Sequence, residues 1–100
     1  MTFKKGVKGK GIMPQTVLAM LTTEVIYILY GYSLVVTSCL DGAHKEKSLH
    51  YAGLAFDCRT MGIPPDKLTE MKDAIMIALG PEYDVVLEKD HFHIEYDPDS

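Results

Sequence analysis

Two segments of this 100-residue chain begin at proline and then repeat apolar residues every three or four positions, and short β-branched runs follow each. Proline suits the first turn of a helix, where its missing N–H would have no partner anyway. After Pro14, the residues Leu18, Leu21, Val25, Ile28 and Leu29 form one apolar stripe through about Tyr30, and Gly31 is the expected stop. After Pro64 and Pro65, the second stripe is Leu68, Met71, Ile75 and Leu79, closed by Gly80-Pro81. SLVVTSC and GLAFDCRT between them read as strands, separated by a polar loop at 40–48 that carries Asp-Gly. YDVVLE and HFHIEYD read as a hairpin turning at Lys89-Asp90. The order α, β, β, α, β, β predicts an α+β domain, with two helices packed on one face of a small, mainly antiparallel sheet.

A chain of this length holds one core, so residues 12–100 are read as a single domain behind a basic arm, 1–11. The arm's KKGVKGK run is read as solvated, with contact to an anionic polymer as the other reading. Hydrophobic residues at 47% and charged residues at 24% argue against disorder, and a net charge of −4 argues against a nucleic-acid partner. No run approaches the ~20 apolar residues of a membrane helix, so no membrane insertion is expected. The basic N-terminus has no apolar block behind it. It therefore does not read as a secretory signal, and synthesis in the cytoplasm is expected. Cys39 and Cys58 read as two buried thiols, or alternatively as a disulfide between neighbouring strands.

Strand alternation sorts the polar residues. Ala55, Asp57 and Arg59 share one face of their strand, opposite Leu54, Phe56 and Cys58; His91, His93 and Glu95 share one face of theirs, opposite Phe92, Ile94 and Tyr96. If the apolar faces meet the helices, Asp57, His91 and His93 lie together on the open side. A Lys89-Asp90 turn adds Glu88 opposite His91, and His50 can fold back over the strand that follows it. Two imidazoles and a carboxylate with a fourth position open is the ligand count of a catalytic zinc site; a hydrogen-bonded surface cluster is the other reading.

SLHYAGLAFD and HFH together resemble the signatures of zinc D-alanyl-D-alanine carboxypeptidases and phage endolysin peptidases, which share the fold of the hedgehog signalling domain. The pattern S-x-H-x-x-G-x-A-x-D is matched by Ser48, His50, Gly53, Ala55 and Asp57, and H-x-H by His91 and His93, in the same order with a helix between. The resemblance implies one zinc ion held by His50, Asp57 and His93, with His91 bonding substrate or transition state. It implies Glu88 or Asp90 as the general base, Glu88 being favoured because the hairpin puts it on the histidine face. His44, Ser48 and Arg59 are the candidate substrate contacts. Gly53 and Ala55 fit a close approach of the chain near the site. Where the peptidases carry an arginine before the first ligand, this chain has Lys45 and Lys47, which leaves endopeptidase as well as carboxypeptidase action open.

The function implied is hydrolysis of D-amino-acid-containing peptide bonds in bacterial peptidoglycan. The expected protein is a monomeric phage or prophage lysis enzyme that takes the stem peptide as partner and acts on the wall after release. The alternative is a non-catalytic metal-containing binding or structural module of a phage or cell-surface assembly.

Overall fold

Both helices begin where the prolines place them. In the computed structural model, which describes residues 1–39 and 53–98, α1 spans Pro14–Leu29 and α2 spans Pro65–Leu79. Each follows an extended residue, Met13 or Pro64, and neither has a side-chain N-cap. The glycine expected as a stop, Gly31 or Gly80, follows each within two residues. The strands are β1 (Thr2–Phe3), β2 (Val35–Ser38), β3 (Ala55–Arg59), β4 (Tyr83–Leu87) and β5 (His91–Tyr96). They form one sheet in the order β1-β2-β3-β5-β4. All pairs are antiparallel except β1 with β2, so the expected α+β architecture with a mainly antiparallel sheet is present.

The core lies between one face of the sheet and both helices. Val36, Phe56, Cys58, Val85, Phe92 and Ile94 supply the sheet side; Ala19, Met20 and Tyr27 come from α1, and Met71 and Ile75 from α2. Burying each large apolar side chain contributes about 1.5–3 kcal/mol. The Tyr27 ring meets Phe92 edge to face at 6.4 Å, and its hydroxyl donates to the Arg59 carbonyl at 2.8 Å. A polar group thus enters the core with its hydrogen bond made.

The second helical stripe behaves as predicted: Met71 and Ile75 are fully buried, and Leu68 and Leu79 pack against them. The first does not. Leu18, Leu21, Val25, Ile28 and Leu29 are all exposed, and the buried face of α1 is Thr16, Ala19, Met20, Thr23 and Tyr27. The helix is apolar on nearly every side, so spacing alone could not choose the inward face. Small residues let the helix come close to the sheet, and the threonine hydroxyls are satisfied locally. Thr23 Oγ1 donates to the Ala19 carbonyl at 2.7 Å, and Thr16 Oγ1 to the Gly53 carbonyl at 2.6 Å.

Two further features depart from the sequence reading. The basic arm is anchored at its start: Thr2–Phe3 pairs with Val35–Val36, Lys4 N–H donates to the Val36 carbonyl at 2.8 Å, and the Met1 amino group pairs with Glu24. Gly53 is indeed a point of close approach, but to the entry of α1. It sits at φ +75°, and a Cβ there would lie 2.4 Å from the Gly11 carbonyl oxygen. Its own carbonyl accepts from Met13 N–H and from Thr16 Oγ1, which ties the entry to β3 to the first turn of the helix.

Candidate functional site

The sheet face turned away from the helices carries the polar residues that alternation assigned to it. In the β3–β5 ladder Asp57 pairs with His93, Arg59 with His91, and Ala55 with Glu95. On the far side of β5, Val86 pairs with His93 and Asp84 with Glu95. Non-local pairing therefore sets Asp57 beside His93, 36 residues away.

His93 lies between two carboxylates. Its Nδ1 is 2.9 Å from Asp57 Oδ1, and its Nε2 is 2.7 Å from Glu95 Oε1. The hydrogen bond to Asp57 holds the imidazolium above the usual histidine range; partial burial opposes this and Glu95 adds to it. His91, two residues earlier, points its Nδ1 at Asp90 Oδ1 at 2.7 Å and holds its Nε2 3.7 Å from Asp57 Oδ2. Asp90 itself is exposed, and its bond to His91 keeps its carboxyl below the usual range.

The β4–β5 connection is the two-residue turn that the sequence suggested. Glu88 N–H donates to the His91 carbonyl at 2.8 Å, so Glu88 sits opposite His91 and Lys89-Asp90 form the turn. Beside this end of the hairpin is a cleft of about 380 Å³ lined by Lys4, Thr37, Arg59, Met61, Asp90 and His91.

No protein-family model matches the chain, and no characterised protein matches it significantly.

Of the residues singled out by sequence, Asp57, His91 and His93 come together on one face, with Asp90 and Arg59 beside them and Glu88 next to His91 by register. His44, Ser48 and His50 lie outside the described residues. Two participants carried no sequence-based role. Glu95 was already on the histidine face by alternation, and its bond to His93 Nε2 is what its position made available. Lys4 had no such signal, because nothing in the arm's composition indicates that β1 pairs with β2.

The donor set bears on whether an ion fits. Tetrahedral zinc with bonds of about 2.0–2.1 Å separates its ligand atoms by roughly 3.3 Å. Asp57 Oδ1 and His93 Nδ1, at 2.9 Å, would need to part by only a few tenths of an ångström. The carboxylate on the other imidazole nitrogen is the arrangement that orients a metal-binding histidine. Among the described residues, the group of three whose ligand atoms all lie within 4.8 Å of one another is a different one: Asp84, Glu95 and Asp97. Such acidic groups are common without an ion, and this one marks negative potential at the β4 side of the face.

Proposed function

We propose that the protein is a zinc-dependent peptidase that hydrolyses D-amino-acid-containing peptide bonds of bacterial peptidoglycan, on a hedgehog-like peptidase fold. The observation that supports this is the meeting of Asp57 Oδ1 and His93 Nδ1 at 2.9 Å on the open sheet face. These are two of the three ligands that the resemblance assigns, with His50 as the third. When bound by these residues, zinc supplies Lewis-acid polarisation of a carbonyl and a water that loses its proton near neutral pH.

The chain's own groups divide the remaining work. Glu88 takes the proton, because Asp90 is engaged with His91 Nδ1 and fixes that ring instead. His91, its ring held through Nδ1 by Asp90, turns Nε2 toward the developing oxyanion. Lys4 and Arg59 line the adjoining cleft and attract a carboxylate of the stem peptide. The enzyme would act on the wall after release from the cell that makes it, as a phage or prophage lysis protein does.

The alternative is a non-catalytic metal-containing binding or structural module, in which Asp57 and His93 would hold the same ion without turnover. Digestion of purified peptidoglycan by the zinc-loaded protein, followed by mass spectrometry, separates the two readings. New peptide termini are expected. Stoichiometric zinc with no new termini indicates a binding module, and unchanged activity in His50→Ala removes the metal assignment.

A further inference from the structure

The outer face of α1 is the largest feature that the peptidase reading leaves unused. Val17, Leu18, Leu21, Val25, Ile28 and Leu29 are 44–74% exposed, and they occupy one continuous side of the helix. The helix carries a single charged residue, Glu24, in sixteen positions. A helix that is apolar all round ordinarily has a partner on every side. Here the inner side has the sheet and α2.

We propose that this face is the interface of a symmetric homodimer, in which α1 packs against α1 of a second copy. The inference is independent of the zinc site. It replaces the monomer expected from the sequence.

Three observations select a second copy as the occupant. The first is area. The six side chains expose roughly 600 Å² together, at the upper limit for a patch on an ordinary monomer. Two such faces expose about 1,200 Å² between them, so covering them together with their rim reaches the lower limit of a standard stable interface. The second is shape. Val17, Leu21, Val25 and Leu29 follow one another at four-residue steps and make a single exposed ridge. Ridges of this kind interdigitate with one another in the commonest class of helix packing. A two-fold axis between Leu21 and Val25, with the helices antiparallel, lets Leu21 of each copy meet Val25 of the other, as an isologous contact requires. The third is charge. Glu24 is engaged by the Met1 amino group of its own chain, so no unpaired α1 charge opposes a like charge across the axis. No lysine or arginine lies on the helix to favour an anionic lipid surface.

Sedimentation equilibrium of the full chain tests this at about 100 µM, where an interface of this size is expected to hold. The wild type should be a dimer. Leu21→Glu and Val25→Lys, each substituted at an exposed position, should be folded monomers with dissociation constants raised about 100-fold or more, their thermal midpoints falling to that of the diluted, dissociated wild type. Mixing the two variants should restore a dimer, because the new glutamate of one chain then meets the new lysine of the other. A wild-type monomer overturns the proposal. If that monomer co-sediments with vesicles containing phosphatidylserine and Leu21→Gln removes the binding, the face belongs to a membrane surface instead. A dimer that survives both substitutions places the interface elsewhere. A mixture that stays monomeric overturns the two-fold pairing of Leu21 with Val25.

Discussion

Asp57 and His93, on neighbouring antiparallel strands, face one another with Oδ1 and Nδ1 2.9 Å apart, and Glu95 holds the opposite nitrogen of the same ring. In the metal-free protein this geometry makes the stability of the fold depend on pH. Asp57 favours protonated His93 in the folded state, so the folded pKa is raised above the ordinary value of about 6.5. The stabilisation is therefore complete below pH of about 6.5 and is lost as pH rises through the higher folded value. Asp57→Asn should lower the His93 pKa measured by NMR titration and should flatten the fall in stability over that window. An unchanged His93 titration in the variant would show that the contact does not control the ring.

Glu95 should act by positioning His93 rather than by touching the substrate. Glu95→Gln keeps an acceptor near Nε2 but removes the charge, so zinc affinity should fall roughly 10- to 100-fold with the fold intact. Isothermal titration with zinc, beside a thermal melt of the apo protein, reads the two effects separately. Equal zinc affinity in Glu95→Gln and wild type would remove this role.

Glu88 and Asp90 should separate kinetically. Glu88→Gln should retain zinc and lower kcat roughly 100- to 1,000-fold, as loss of a general base does. Asp90→Asn should reduce activity less, and should release the His91 ring from the orientation that its 2.7 Å contact imposes. If Asp90→Asn proves the more damaging with zinc retained, the base assignment passes to Asp90.

Gly53→Ala should be severely destabilising although Gly53 is not a site residue. The added Cβ meets backbone that cannot move aside, 2.4 Å from the Gly11 oxygen, at a positive φ that side chains disfavour. A loss of about 3 kcal/mol or more is expected in denaturant unfolding. A loss below ~1 kcal/mol would mean that the entry to α1 adjusts freely.

Cys58 should be inert in the native protein. Tyr27 has one hydroxyl proton and donates it to the Arg59 carbonyl, which leaves its oxygen 3.5 Å from Cys58 Sγ as an acceptor for the thiol. Burial above all pushes the thiol up to about 12, so almost no thiolate is available near pH 8. Labelling with a thiol reagent should track global unfolding. Cys39 is likewise fully buried, so both thiols should react only when the chain opens.

Strands β2 to β5, the hairpin turn and the second helix were legible because their signals are local. HFHIEYD alternates with period two, so the shared face of His91, His93 and Glu95 follows from the chain alone. The turn at Lys89-Asp90 is set by the two residues between two alternating runs. The stripe of α2 was readable because polar residues occupy its other side. That of α1 was misleading because almost every side is apolar, and the inward face was chosen by how closely Ala19 and Thr23 let the helix approach the sheet.

Sequence by itself determined which residues each strand presents to the open face, since alternation needs no knowledge of neighbours. Tertiary structure decided which of those residues meet. The β3–β5 register set Asp57 against His93 and Arg59 against His91, and a slip of one residue would have sent every one of these side chains to the other face. It also decided that Thr2–Phe3 completes the sheet, that Gly53 serves the entry of α1, and that a row of large aliphatic side chains faces outward. Each of these rests on contacts between segments far apart in the chain, and no local pattern encodes them.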